Sequence, residues 1–166
     1  MKKTRWLLIL SGLTIALVIN SCKKSGQSPI QALFTGGQWQ LASVQVTYYI
    51  GNQADSTVTI NTPCIQDFIF NADNTCTYSN FDCITQTSPP AQWILAANQL
   101  FLQANVVCKD TSAAGSSMPF LNAGIQTLGQ YSLVLQTGDI QPNYSLTAPR
   151  KIITWGFVRQ KLNGVD

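Results

Sequence analysis

The chain has 166 residues, no histidine, and 10 basic against 7 acidic side chains, but the charge is unevenly distributed. Lys2, Lys3 and Arg5 lie in the first 21 residues, which contain no acid, so the remainder has 7 basic residues, 7 Asp and no Glu. This neutral remainder excludes the basic footprint of a nucleic-acid binder, and 45% hydrophobic with 10% charged residues excludes intrinsic disorder. We expect one folded domain of roughly 130 residues.

Residues 1–21 have the pattern of a secretory signal peptide. The basic start is followed by a mainly apolar run from Trp6 to Ile19 and then by Asn20, Ser21 and Cys22. A membrane-spanning helix needs roughly 20 apolar residues, whereas the apolar region of a signal peptide has at most about 15. The pattern therefore predicts a cleaved leader. The alternatives are an uncleaved membrane anchor and an ordinary signal peptide with a chance cysteine.

The end of this leader resembles the lipoprotein box of bacteria, with Ile19 three residues before Cys22 and Ser21 directly before it. The resemblance implies acylation of Cys22, palmitate included, and two or more acyl chains give stable membrane attachment. Residues 22–32 would then be the lipid anchor and a flexible tether, and residues 33–166 the folded domain. Lys23 in place of an Asp favours the outer membrane. The missing acidic run favours its periplasmic leaflet, with the cell surface as the alternative.

The four remaining cysteines indicate disulfide bonds, because they are even in number and the leader directs the chain to an oxidising compartment. Their spacing lacks the close ligand pairs of a zinc site, and there is no histidine, so we expect no metal. Three pairings are possible. A hairpin with Phe70 opposite Thr75 would bring Cys64 close to Cys83, and elimination then leaves Cys76 with Cys108.

Apolar residues at a spacing of two predict an antiparallel sheet with one apolar face. The alternation slips by one residue between Leu41 and Val44, which indicates a β-bulge in a long first strand. Helical periodicity is hardly visible. The predicted strands are 38–50, 56–61, 65–70, 75–81, 91–96, 99–107, 122–128, 130–137 and 151–160.

Residues 33–161 resemble the lipocalin-like lipoproteins of Bacteroidota. Gly37-Gln38-Trp39 is similar to the Gly-x-Trp that opens lipocalin barrels, and the segment Cys64 to Thr75 is similar to the cysteine, strand and turn of that group, with Asn74 in place of Gly. Arg159 matches the arginine that packs on the opening tryptophan. The resemblance implies an all-β, up-and-down antiparallel barrel of about eight strands, in which Trp39 and Arg159 are structural.

Such a barrel could bind a small hydrophobic ligand, and this is the function we expect first. The alternative is that the aromatic side chains simply fill the barrel. The candidate pocket residues are the interior aromatics Phe68, Phe70, Tyr78, Trp93, Trp155 and Phe157.

A protein-interaction module or an enzyme inhibitor of the cell envelope is the second hypothesis. Its loops, from Lys109 to Pro119 and from Thr137 to Pro149, would contact the partner. Asp55-Ser56-Thr57 is similar to an O-glycosylation site of Bacteroidota, with Ser56 as the acceptor in a predicted turn.

Catalysis is not expected, because the mature chain has neither His nor Glu and no believable acid–base pair. We accordingly expect no cofactor. The anticipated partners are the membrane, through the lipid anchor, and either a hydrophobic ligand or an envelope protein. We expect a monomer.

Overall fold

A computed structural model of the chain describes residues 27–61, 65–79, 85–108 and 117–160. These segments form one antiparallel sheet of nine strands, a short α-helix and one 3₁₀ turn. The elements are α1 (Pro29–Thr35), β1 (Gln38–Ile50), β2 (Gln53–Ile60), β3 (Asp67–Phe70), β4 (Thr75–Ser79), β5 (Thr85–Leu95), β6 (Phe101–Ala104), the 3₁₀ turn (Pro119–Asn122), β7 (Ala123–Leu128), β8 (Ser132–Gly138) and β9 (Pro149–Gln160).

The sheet closes in a ring of eight strands, which confirms the all-β, barrel-like architecture predicted from the sequence. Strands β3 to β9 pair in chain order, and β9 returns to pair with β1 along its whole length. The other edge of β1 is shared, because its first three residues pair with β3 and its last seven with β2. Strand β2 therefore lies outside the ring.

The predicted bulge in β1 is present, since the register with β9 shifts between Leu41 and Ser43. Leu41 and Val44 are both buried, although they are three residues apart and a regular strand would point them to opposite faces. The bulge thus keeps both halves of a 13-residue strand facing the core.

The predicted register of the β3–β4 hairpin is wrong by one residue, because Phe70 lies opposite Cys76 and not Thr75. Thr75 instead closes the turn, accepting a hydrogen bond from the backbone N–H of Asn71 at 2.8 Å. This leaves a three-residue loop that ends at Asn74 with φ of 67°, the left-handed position expected for that residue. Both Cys64 and Cys83, the proposed pair, lie outside the described residues.

The predicted Cys76–Cys108 disulfide is not formed, since both are free, buried thiols. The prediction rested on elimination and ignored strand order. Cys108 follows β6, and β5 separates β6 from β4 in the sheet, so the two cysteines are not cross-strand neighbours.

Burial raises the pKa of Cys76 and of Cys108 from 9.0 to about 12. Unfolded thiols ionise above about pH 9 while the folded ones stay neutral, so the unfolded state binds fewer protons and stability falls as the pH rises towards 12. We expect a loss of about 1.4 kcal/mol per pH unit for each thiol in that window. The measurement is urea unfolding with reductant at about pH 8 and pH 10.5.

The matched control for this pH effect is the double variant Cys76→Ala, Cys108→Ala, which should lack that part of the slope. An equal pH dependence of stability in both proteins would contradict the interpretation that burial keeps these two thiols protonated.

Helix α1 is a correction to the sequence analysis, which assigned residues up to 32 to a flexible tether. Ser28 caps the helix by accepting a hydrogen bond from the N–H of Gln31 at 3.1 Å, and Pro29 occupies the first turn. Phe34 is fully buried in the core, and Ile30 packs against it. The folded domain therefore includes Pro29, four residues before the predicted boundary.

Candidate functional site

The predicted interior aromatics form two contacting groups inside the ring. Towards the start of β1, the ring centroid of Phe34 lies 5.4 Å from that of Phe70 and 5.6 Å from that of Trp93, and Phe70 and Trp93 are 5.3 Å apart. These are edge-to-face and tilted contacts, each stabilising by about 0.5–1.5 kcal/mol beyond area burial. Phe34 from α1 therefore packs against two predicted pocket residues.

The second group is built around Phe120 from the 3₁₀ turn. Its ring centroid lies 5.1 Å from that of Trp155, 6.1 Å from Phe68 and 6.3 Å from Phe157. Phe68 also contacts Phe157 at 5.3 Å and stacks on Tyr78 at 6.0 Å. Four of the six candidate pocket residues thus contact a single inserted phenylalanine or each other.

The polar atoms of these aromatic side chains form hydrogen bonds within the protein. The indole N–H of Trp93 donates to the carbonyl of Asn71 at 3.1 Å, and that of Trp155 donates to the Thr137 hydroxyl at 2.9 Å. The hydroxyl of Tyr78 accepts from the N–H of Val107 at 2.9 Å, while burial raises its pKa. Internal hydrogen bonds to the polar atoms, together with contacts between the rings, are typical of a packed core.

Sequence reasoning missed three interior residues. Phe34 was assigned to no element, although Ser28-Pro29 is a helix-start signal that could have found it. Phe120 directly follows the expected loop, which ends at Pro119, and no periodicity marks it. Gln66 is fully buried, and neither amide atom has a hydrogen-bond partner in the described part of the chain.

The predicted contact between Trp39 and Arg159 is present. The guanidinium carbon lies 4.4 Å from the centre of the indole ring, and the two residues are cross-strand partners on β1 and β9. Trp39 is fully buried and donates its indole N–H to the carbonyl of Phe34 at 3.0 Å, while Arg159 donates to the carbonyl of Leu33. Both side chains therefore attach α1 to the end of the barrel, and desolvation lowers the pKa of Arg159.

The 139–148 segment forms the wall of a groove of about 390 Å³ on the outside of the barrel. We call this the outer groove. Its floor is made by residues of β6 to β9, and a β-carbon at Gly124 would lie 3.5 Å from Ile140 and 3.7 Å from Phe101. The lining residues are Leu100, Phe101, Gly124, Ile125, Gln126, Gln136, Ile140, Gln141, Pro142, Tyr144, Arg150 and Ile152.

Arg150 holds the groove wall in place. Its Nε and Nη2 atoms donate to the carbonyl of Gly51 at 3.2 and 2.9 Å, which joins β9 to the β1–β2 turn. The guanidinium lies 3.5 Å from the ring centre of Tyr144 and 5.2 Å from that of Tyr49. Tyr144 in turn donates to the side-chain oxygen of Asn52. These contacts therefore hold the 139–148 segment against β9 and the β1–β2 turn.

The outer groove has one charged lining residue, Arg150. Its guanidinium is held by the Gly51 carbonyl and two aromatic rings, which are uncharged groups. Gln126, Gln136 and Gln141 supply amide donors and acceptors among apolar side chains. The chemistry suits a partner with both apolar and hydrogen-bonding groups.

Other predicted sites fall on different parts of the chain. Ser56 is exposed on strand β2 and not in the predicted turn, because the turn between β1 and β2 is made by Gly51 and Asn52 alone. Cys22, the predicted lipidation site, lies outside the described residues. In the part of the chain that the structure describes, three or more possible metal ligands never cluster, and no helix is long and apolar enough to cross a membrane.

No family model, curated protein or solved structure matches the chain.

Proposed function

We propose that the protein is a non-catalytic binding protein of the cell envelope, held on the outer membrane through acylated Cys22, and that it recognises a protein partner in the outer groove. This is the interaction hypothesis of the two that the sequence analysis left open. The observation that carries it is the contrast between the packed interior and the open groove beneath the 139–148 segment.

The interior offers little to the hydrophobic ligand expected first. Its candidate pocket residues contact each other, and the polar atoms of Trp93, Trp155 and Tyr78 are already bound by the protein. A ligand that took the place of Phe34 or Phe120 would displace a side chain that is 2% exposed or less. Exposing a buried phenylalanine costs about 1.5–3 kcal/mol, which a ligand would have to offset before binding.

The outer groove needs no such displacement. Its volume of about 390 Å³ lies within the range of roughly 300–1,000 Å³ typical of binding sites. Its amide side chains match the N–H and C=O groups of a polypeptide backbone, and its apolar residues match uncharged side chains. The favoured partner is therefore a segment of another envelope protein.

We expect Gly124→Leu to abolish binding, because it adds a bulky side chain among the residues that line the groove. A β-carbon at this position would contact Ile140 at 3.5 Å and Phe101 at 3.7 Å, which are ordinary van der Waals distances, and the rest of the leucine would have to occupy space among these side chains. The measurement is photo-crosslinking in the native envelope from a benzophenone side chain introduced at Gln141. The expected result is a discrete adduct with one protein, lost in Gly124→Leu.

The matched control places the same crosslinker at Ile94, an exposed residue on β5 that does not line this groove. An adduct that is equally strong at Ile94, or that survives Gly124→Leu in a folded protein, would refute the groove as the binding site.

A further inference from the structure

Strand β2 is an exposed edge of the sheet. It is the terminal strand in the sheet order and pairs with β1, and no other strand of the described chain pairs with its second edge. All eight of its residues are exposed. Such an edge presents backbone N–H and C=O groups that another extended strand can pair with.

Residues 56–60 of this edge lack the features that normally prevent such pairing. Proteins protect long edges with lysine, proline, inward-pointing charges or β-bulges. Strand β2 contains neither lysine nor proline, and its one charged residue, Asp55, lies in a bulge, whereas the register with β1 is regular from Ser56 to Ile60. The sequence instead alternates Thr57 and Thr59 with Val58 and Ile60, a pattern of strong β-propensity.

The face of β2 that continues the barrel interior is apolar. Val58 lies opposite Val46, and Ile60 lies opposite Val44, so these four side chains share one face. Val44 and Val46 are buried, whereas Val58 is 52% and Ile60 45% exposed. The apolar surface therefore extends past the barrel onto an uncovered strand.

We propose that β2 is a dimerisation strand, which pairs antiparallel with β2 of a second copy about a two-fold axis perpendicular to the sheet. The two edges would form one continuous sheet across both barrels. This replaces the monomer expected from the sequence, and it does not depend on the outer groove, which lies on β6 to β9.

The β2 sequence is compatible with its own copy in the register that places Val58 opposite Val58 of the partner subunit. Thr57 then faces Thr59 of the partner subunit, and Ser56 faces Ile60 of the partner subunit. Residues 56–60 carry no charge, so no like charges meet. Directly opposite residues of an antiparallel pair share a face, so the axis brings the exposed Val58 and Ile60 of both copies into one apolar patch.

An interface built on one strand is small. Interfaces below about 1,200 Å² of total buried surface are typical of weak, transient complexes, so we expect a dissociation constant in the micromolar range.

The test is the solution mass of residues 27–166, which contain every described element and the complete core, as a function of concentration. Sedimentation velocity should show monomer converting to dimer up to about 300 µM, the range set by a weak interface. Val58→Lys places a charge in the pairing face and should leave a monomer at all concentrations. Ile94→Lys, at a residue 52% exposed on a strand paired on both sides, should dimerise like the wild type.

A second measurement does not depend on the folding of the lysine variant. Paired residues have α-carbons about 4.5–5.5 Å apart, within the range that a disulfide bridges. Val58→Cys should therefore give an oxidised dimer whose cross-linked peptide joins two copies of position 58, and Ile94→Cys should not. A wild type that stays monomeric, or equal cross-linking at both positions, would overturn the proposal.

Discussion

Replacing Trp93 with alanine should reduce the free energy of unfolding by about 3–5 kcal/mol, the cost of removing a large buried aromatic from a packed core. Trp93 is 1% exposed and contacts both Phe34 and Phe70. The variant also loses the hydrogen bond from the indole N–H to the carbonyl of Asn71. Urea unfolding followed by circular dichroism measures the change.

The neighbouring residue provides the matched control. Ile94 lies on the same strand but is 52% exposed, so Ile94→Ala should change stability by at most about 1 kcal/mol. A loss below about 1.5 kcal/mol for Trp93→Ala would contradict the packed core and return attention to a ligand cavity, since a residue that lines an existing space leaves a smaller new cavity.

Replacing Gly51 with alanine should destabilise the protein by about 2–3 kcal/mol and weaken binding in the outer groove. Gly51 has φ of 59°, a left-handed conformation that favours glycine, and an added β-carbon would overlap the carbonyl of Leu146. The overlap would push the 139–148 segment away, breaking the hydrogen bond from Gly51 N–H to the carbonyl of Ala148. Thermal unfolding and the Gln141 crosslinking assay measure the two effects.

Gly129→Ala is the control for this prediction. Gly129 has no positive φ, and a β-carbon there would meet the hydroxyl of Ser132 at an ordinary 3.5 Å, so the change should stay within about 0.5 kcal/mol. If both alanine variants behaved alike, Gly51 would not be the point that joins the β1–β2 turn to the groove wall.

The fold could be predicted from the sequence because alternation is strong in most strands. Trp39, Phe68, Trp93 and Leu133 each mark a buried face, and β1 begins and ends where the pattern places it. The predicted hairpin register was wrong because residues 71–75 are compatible with either of two turns. The backbone and side-chain hydrogen bonds between Asn71 and Thr75 select the observed turn, and the sequence alone does not predict them.

The candidate site was less predictable. The segment from Thr137 to Pro149, which includes the groove wall, was named as a partner surface, but nothing in its sequence indicates which strands it covers. That arrangement depends on Arg150 reaching the carbonyl of Gly51, a contact between residues 99 positions apart. Two of the interior aromatics were equally hidden, because Phe34 and Phe120 enter the barrel from short helical turns outside the alternating strands.

The position of α1 shows which end of the barrel is joined to the N-terminal segment of the chain. The helix packs at the end of the barrel where β1 begins, and the Gly51 turn and the 139–148 segment lie together at the opposite end of the same strand. Strand β1 has 13 residues, which span about 30 Å along a tilted barrel. If Cys22 carries the acyl chains, the end of the barrel that bears α1 is the end joined to the anchor. The groove wall then lies at the other end of β1, within reach of proteins in the aqueous phase.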